Sequence, residues 1–479
     1  MLDSFLQASH GDLAALHPVH ALALQQDPIF YGHLARWYSE HGSLRDHHEL
    51  FAATSLASPW PEHRDQGEVL LALLRPYQVA RVVRHSKETM HFATRRLRRA
   101  VRAYLARREA WPAWFDECVL RDRRSMKYLY CTLHLKAGPR ARRILFDDDP
   151  PADSRLAVFR RLVRLADHPE EQARLLYEHR IPFTTALGAV RQLTPTVLYA
   201  LVSVMTPQQA INHLAFLERR GALAEPRTRA LVEEKIRQGA RESRVADCKT
   251  LAALQRLQGD EALAGRLLEM TGQRLRHRGR IQAPTALFID KSGSMEQAIE
   301  AGKMLACLCS TVADGPLHVL AFDSHAFPIV PRDRSFAAWH QAFQPIRADG
   351  CTSIGAPLQR LMDQRVEQIV LVTDGEENTA PCFCEVLSRY EKRHGLRVRL
   401  FLLRIGRQGP TALERSLRGR DLTVLPFQGD YYNLPNLVPL LCAGSGYELV
   451  EEILSYPLYT REDLDHLPPG FDEETCEIL

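Results

Sequence analysis

An apolar run, Thr285-Ala-Leu-Phe-Ile289, leads directly into Asp290-Lys-Ser-Gly-Ser294 and then into a helical pattern from about Glu296 to Ala313. This reads as a buried strand, a loop rich in hydroxyls, and a helix. Eighty-four positions after Asp290, a second apolar strand, Gln368-Ile-Val-Leu-Val-Thr-Asp-Gly375, stops on Asp374. Thr352 comes sixty-two positions after Asp290, in Asp-Gly-Cys-Thr-Ser. Asp290, Ser292, Ser294, Thr352 and Asp374 can therefore bring three hydroxyls and two carboxylates to one edge of a parallel sheet. All-oxygen donors of this kind suit a hard divalent cation such as Mg²⁺. A capped turn explains Asp290 and the two serines alone, because Asp and Ser are good helix N-caps. It leaves Thr352 and Asp374 without a role.

Strands and helices alternate on either side of this loop. Candidate strands are Thr285–Ile289, Leu317–Phe322, Ile369–Thr373, Arg397–Leu403 and Leu422–Pro426, with an antiparallel edge strand at Ala326–Val330. Helical patterns cover Glu296–Ala313, Phe336–Phe343, Pro357–Gln364, Phe383–His394, Thr411–Leu417 and Asn433–Cys442. Such alternation implies a doubly wound, mostly parallel α/β sheet, on which ligands bind at the carboxyl ends of the strands.

Residues 1–280 read as almost entirely helical. Thr194-Pro195, Thr206-Pro207 and Glu225-Pro226 repeat one helix-start signature, ahead of Thr196–Met205, Gln208–Arg220 and Arg227–Gln238. Thr caps well, and Pro is tolerated at the first helical position, where its missing N–H is not needed. Short helices with short connections indicate stacked hairpins, a HEAT-like solenoid or ring. A basic linker, Thr271–Arg280, is expected to end this half. The expected division is then 1–280 helical, 281–445 α/β and 446–479 an acidic tail.

The net charge is only +4, but it is unevenly placed. Between Arg75 and Arg180 there are 25 Lys and Arg against 13 Asp and Glu, a balance of +12; from Tyr447 to Leu479 there are 1 and 10, a balance of −9. A basic middle points to an anionic partner. The densest stretch is Thr94–Arg108, where Leu97, Val101, Tyr104 and Leu105 form a core-facing stripe. Arg95, Arg96, Arg98, Arg99 and Arg102 lie largely off that stripe. Arg123, Arg124 and Lys127, and then Arg140, Arg142 and Arg143, extend the charge. Guanidinium groups form paired bonds to phosphate, so Arg95, Arg96, Arg98, Arg99, Arg102, Arg123, Arg124 and Lys127 are candidate RNA-backbone contacts. The competing reading is a solvated face, or pairing with the acidic tail. The interleaved aromatics Trp37, Tyr38, Trp111, Trp114, Phe115, Tyr128 and Tyr130 are expected to be helix core rather than base-stacking platforms.

The five site positions resemble the metal-ion-dependent adhesion site (MIDAS) of the von Willebrand factor A (vWA) domain. An all-helical basic half followed by such a domain resembles the Ro ribonucleoprotein, or TROVE-domain, family. Arg180-Ile-Pro-Phe183 with the following helices, Asp349-Gly-Cys-Thr-Ser353 and Leu371-Val-Thr-Asp-Gly-Glu-Glu-Asn378 carry the local similarity, over about residues 75–445. The resemblance implies a helical ring that binds small structured or misfolded non-coding RNA. It also implies a Mg²⁺-dependent vWA domain whose open metal position accepts a carboxylate from a protein partner. Ser292, Ser294 and Thr352 would coordinate the ion directly or nearly so, and Asp290 and Asp374 directly or through water. Two departures stand out. Lys291 places a cation beside the metal, and the acidic tail extends past the usual end of the domain.

No nucleophile or positioned general base accompanies the site, so the chain does not read as an enzyme. Ala301-Gly-Lys303 lies in a helix and lacks the upstream Gly of a phosphate-binding loop. Glu376 and Glu377 read as solvated loop carboxylates. Arg45-Asp-His-His-Glu-Leu50 reads as an exposed or helix-N-terminal segment rather than a metal site. The ten cysteines include the pairs Cys307/Cys309 and Cys382/Cys384 and read as reduced thiols. With no spanning apolar run and no signal-like start, a cytoplasmic protein without a membrane partner is expected. A second reading from a different class is a metal-dependent interaction adaptor. In that reading the vWA domain serves a partner such as an AAA+ ATPase, and the helices do not bind RNA.

Overall fold

The computed structural model describes residue 5 and residues 13–42, 44–89, 95–241, 261–406, 409–427, 434–442 and 446–467. These fall into two compact units, Met1–Lys235 with Leu449–Leu479, and Ile236–Glu448. Two boundaries differ from the sequence expectation. The segment expected as a linker, Thr271–Arg280, mostly belongs to a helix, Glu261–Arg278, which falls in the second unit. The acidic segment is not a separate tail: its helices Gly446–Ser455 and Arg461–His466 are described, and from Leu449 onward it belongs to the first unit.

The first unit is all helix. Pro28, Pro61, Pro76, Pro112, Pro139, Pro169, Pro195 and Pro207 each sit in a first helical turn. Thr194 accepts from the Val197 amide at 3.3 Å, and Thr206 and Gln209 exchange two bonds of 3.2 Å in a capping box. Each such cap is worth about 1 kcal/mol. The expected helix Gln208–Arg220 is two, Pro207–Asn212 and Leu214–Arg219, because His213 leaves helical geometry at φ −107° and ψ 12°. Helices pack mainly on neighbours one or two places along the chain: Arg45–Ala57 on Pro61–Ala72 and on Pro76–Glu88, and Pro169–His179 on Pro195–Val204. This is the contact pattern of stacked helical hairpins.

The acidic segment closes onto the start of this unit. Ile453 is fully buried in the core that holds Tyr31, Leu34 and Phe51. Trp37 donates its indole N–H to Glu452 at 2.8 Å, and the Arg36 guanidinium lies 3.9 Å from the centre of the Tyr459 ring. Arg461 pairs with Asp65 at 3.0 Å. Arg107, at the end of the arginine-rich helix, donates to the carbonyls of Leu464 (2.8 Å) and Leu467. The anchors are thus aromatic and backbone groups as much as charges.

The second unit carries a six-stranded sheet: β1 (Thr285–Asp290), β2 (Leu317–Phe322), β3 (Ala326–Pro328), β4 (Gln368–Thr373), β5 (Arg399–Ile405) and β6 (Leu422–Phe427). The order is β3-β2-β1-β4-β5-β6, all parallel except β3, which runs antiparallel to β2. Every residue of β1 and β4 is buried, which is why both read as continuous apolar runs. One face packs Phe288, Leu371 and Leu402 against Phe383, Leu387 and Tyr390. Along helix Glu296–Val312, a Cβ at Gly302 would lie 2.6 Å from Ile289, so this helix sits close against the end of β1. Strand order reverses between β1 and β4, which places the ligand crevice at their carboxyl ends. Among the described residues no helix is long and apolar enough to cross a membrane.

Candidate metal centre

β1 ends on Asp290, whose side chain is completely buried. Its Oδ1 accepts from the Ser292 amide at 2.8 Å and its Oδ2 from the Thr373 hydroxyl at 2.6 Å. Thr373 Oγ1 in turn accepts from the Gly375 amide at 3.2 Å, and Asp374 Oδ1 accepts from the Glu376 amide at 3.0 Å. Burial pushes the Asp290 carboxyl above the ordinary value. Bonds from Ser292 and Thr373 pull it back, and the nearby charge of Asp374 pushes it up again. A buried carboxylate whose ionisation is opposed by burial and by a neighbouring carboxylate favours a cation beside it.

The loop after β1 turns back through Ser294, a non-glycine residue at φ 78°. Left-handed backbone at such a residue is strained, and strain of this kind concentrates at binding loops. Three backbone bonds hold the loop in place: Lys291 N–H to Phe322 O at 2.7 Å, Gly293 N–H to Gly350 O at 3.1 Å, and Asp349 N–H to Lys291 O at 2.7 Å. The last two join it to the segment that carries Thr352. Thr352 is buried and is held by Asn378: its N–H donates to Asn378 Oδ1 at 2.8 Å, and its carbonyl accepts from Asn378 (3.1 Å) and Thr379 (3.0 Å). The three loops are therefore tied to one another through backbone and polar side chains.

Lys291 does not stand as a loose cation beside this centre. Its ammonium lies 2.5 Å from Asp323 Oδ2 and 5.0 Å from the centre of the Phe327 ring. Partial burial of Asp323 opposes its ionisation, but bonds from Lys291 and the His325 amide prevail and hold its pKa low. Glu377 is not a solvated loop carboxylate either. Oε1 accepts from Gly355 at 3.1 Å and from Phe383 at 3.0 Å, so Glu377 caps the helices Gly355–Arg360 and Phe383–His394 together. Glu377 and Asn378 lie in the segment that carries the sequence similarity, but the sequence assigns neither a role of its own. Their roles depend on a fold that returns this loop to Thr352.

The donors present are carboxylate and hydroxyl oxygens, with a buried aspartate at the base. This chemistry fits a hard divalent ion. Among the described residues, no cluster of three His, Cys, Asp or Glu is placed to hold a metal by those side chains alone. The segment Asp46–Glu49 starts a helix as expected but is buried rather than exposed. His47 Nδ1 lies 2.8 Å from His20 Nε2, and Arg81 bridges Asp46 (2.7 Å) and Glu49 (3.0 Å).

The candidate RNA contacts lie in the first unit. Helix Arg95–Glu109 buries Leu97, Val101, Tyr104 and Leu105, as its spacing predicts, and exposes Arg95, Arg96, Arg98, Arg99 and Arg102. Thr94 lies outside the described residues. Several of these cations are already engaged. Arg99 pairs with Glu68 at 3.0 Å, Arg98 donates to the His134 carbonyl at 3.0 Å, and Arg123 pairs with Asp148 at 3.2 Å. Lys127 is half-buried, 5.6 Å from the centre of the Phe146 ring. Arg95, Arg96, Arg102 and Arg124 make no ion pair among the described residues. Arg108 on the same helix is fully buried between Tyr104 (3.5 Å) and Trp114 (4.3 Å). Of the interleaved aromatics, Trp37, Tyr38, Trp114, Phe115 and Tyr130 are core, whereas Trp111 is 54% exposed.

No protein-family model matches the sequence, and no curated protein matches it. Among solved structures, the Ro (RSR) protein of Deinococcus radiodurans aligns over 90% of this chain and 94% of its own, at 16% identity and a TM-score of 0.64. A von Willebrand factor type A protein from Catenulispora acidiphila aligns over 34% of this chain and 42% of its own, at 20% identity and a TM-score of 0.28. A proximal thread matrix protein from the mussel byssus, with a zinc-occupied MIDAS motif, aligns over 34% and 48%, at 16% identity and a TM-score of 0.29. In fold the chain resembles this Ro protein, with the helical unit and the α/β unit in a single alignment that spans nearly the whole of both chains.

Proposed function

We propose that this chain is a Ro-like RNA-binding protein. The helical unit binds small structured or misfolded RNA, and the α/β unit binds Mg²⁺ and, through it, a carboxylate of a protein partner. The observation that carries the reading is the fold likeness to a Ro protein over 90% of the chain. The exposed, unpaired guanidinium groups of Arg95, Arg96, Arg102 and Arg124 support the RNA half, since such groups bind phosphate oxygens in pairs. In the metal half, Ser292, Ser294 and Thr352 would hold the ion directly, with Asp290 and Asp374 direct or through water. The ion would supply an open position for an acidic side chain. This is recognition rather than catalysis.

The test is to purify the protein from its own cells and sequence the nucleic acid that accompanies it. A defined set of structured small RNAs, released by high salt, is expected. A nucleic-acid-free preparation with a stoichiometric protein released by EDTA would replace this reading with that of a metal-dependent adaptor. One observation favours the adaptor: much of the basic surface is neutralised internally, by Glu68, Asp147, Asp148 and Asp149.

A further inference from the structure

Between helix Arg95–Glu109 and the turn leading into helix Pro139–Leu145 lies a cleft of about 750 Å³. Its walls are partly apolar: Ala106, Leu135, Ala137 and Pro139 reach its surface, with Leu105 and Tyr130 buried behind them. Its polar groups are mostly cations: Arg102, Lys136, Arg142 and Arg143, against Glu109 and Asp147. The two carboxylates do not balance the four cations. Glu109 is occupied within the fold, accepting from the Tyr130 hydroxyl and, at 2.9 Å, from the Gly138 amide. Asp147 accepts from Arg142 at 3.4 Å, and Arg143 pairs with Asp149 at 2.8 Å. Arg102 and Lys136 are left, both exposed and neither with an ion pair among the described residues.

An open cleft with an apolar wall and two uncommitted cations is complementary to a ligand with a flat apolar body and a negative group. Its volume lies in the range of clefts that enclose one small organic molecule, and it is too small for a duplex or a protein helix. An exposed aromatic ring, Phe146, packs edge-on against Tyr130 with centroids 6.1 Å apart. Aromatic groups beside cations are the usual means of holding unpaired bases.

We propose that this cleft is a nucleotide site: it takes one unpaired nucleotide, with Arg102 and Lys136 on the phosphate and the base against the apolar wall of Ala106, Leu135 and Pro139. The ligand chemistry is a nucleoside monophosphate unit, supplied by a single-stranded stretch of RNA or by a free nucleotide. The first source rests on the RNA reading above, and the second does not. The proposal differs from a general basic surface because it singles out Lys136, which lies outside the arginine-rich helix, and separates Arg102 from its exposed neighbours Arg95 and Arg96.

The full chain is titrated against a labelled single-stranded oligoribonucleotide by fluorescence anisotropy, and against UMP and uridine by calorimetry. The expected result is binding of the oligonucleotide, competition by UMP but not by uridine, and a loss of at least ~10-fold in the R102E/K136E variant, which removes two charge-assisted contacts. Arg102→Lys is expected to keep most of the affinity. Binding of UMP without RNA binding would support the cleft with free nucleotide as its ligand and would overturn the RNA reading. RNA binding unchanged in R102E/K136E would overturn the cleft and leave the RNA reading standing. Failure of both UMP and the oligonucleotide to bind would overturn the cleft. Both substituted residues are exposed, and a thermal melt of each variant verifies that the fold is intact.

Discussion

The hydroxyl of Thr373 donates to Asp290 Oδ2 at 2.6 Å, so the last residue of β4 fixes the last residue of β1. Asp290 has no access to solvent, and its other carboxylate oxygen accepts from the Ser292 amide. In Thr373→Val the volume is kept and the donor is lost. An unmatched buried acceptor costs about 1–3 kcal/mol. Loss of such a supporting bond weakens a metal site by about 10–100-fold. Calorimetric titration with Mg²⁺ and Mn²⁺ measures the second effect, and thermal unfolding the first. Unchanged metal affinity would separate Thr373 from the metal centre.

Asn378→Ala removes the acceptor for the Thr352 amide but leaves the two backbone bonds from residues 378 and 379. A weaker metal site with a nearly unchanged melting temperature is expected. Asn378→Asp keeps the acceptor oxygen and is expected to restore much of the affinity. If Asn378→Ala binds metal as the wild type does, Thr352 does not depend on this bond.

Ile453 lies at zero exposure in the core of the helical unit although it comes from the acidic segment. Truncating a buried Ile to Ala costs about 2–5 kcal/mol. Ile453→Ala is therefore expected to lower the unfolding temperature of the helical unit and to open the C-terminal segment to protease. Arg107→Ala, which removes the bonds to the Leu464 and Leu467 carbonyls, is expected to act in the same direction with a smaller effect. Stability unaffected by both changes would show that the segment is not held as described.

Burial holds the imidazoles of His47 and His48 down at about 4, against an ordinary value of 6.5, and also lowers that of His20 well below it. The unfolded chain thus binds more protons between about pH 6.5 and pH 4, so these groups cost stability as the pH falls through that window. Full protonation of either His47 or His48 corresponds to a loss on the order of 3 kcal/mol. Glu49 moves oppositely, since burial raises its carboxyl to about 8 against the pull of Arg81. The comparison is therefore between the wild type and His48→Gln, melted at pH 7 and pH 4.5: the variant is expected to lose less stability on acidification. An identical loss in both would mean that His48 is not buried as a neutral group.

The α/β half was legible in the sequence because its central strands, β1 and β4, are buried on both faces. Leu317–Phe322, Phe336–Phe343 and Phe383–His394 fall where the pattern places them, and the other strands and helices of the sheet differ by a few residues at their ends. The five candidate oxygen donors were chosen from strand ends and spacing. Asn378, Glu377 and the Lys291–Asp323 pair were not legible, since each depends on loops distant in sequence meeting at one edge. The acidic segment misled for a related reason. Its charge pattern reads as solvated, while the residues that anchor it, Ile453, Tyr456 and Tyr459, are few among many charged ones. In the helical half, the stripe Leu97–Leu105 and the Thr-Pro caps were read from local spacing, whereas the break at His213 and the burial of Arg108 are set by packing.

The most direct test of the account is the salt dependence of binding between the purified protein and a structured small RNA. Binding should weaken steeply as salt rises, with log K falling linearly in log salt. The slope should become shallower when Arg95, Arg96, Arg102 and Arg124 are changed to Glu. No binding of any structured RNA at low salt, by a protein that still binds Mg²⁺, would contradict it.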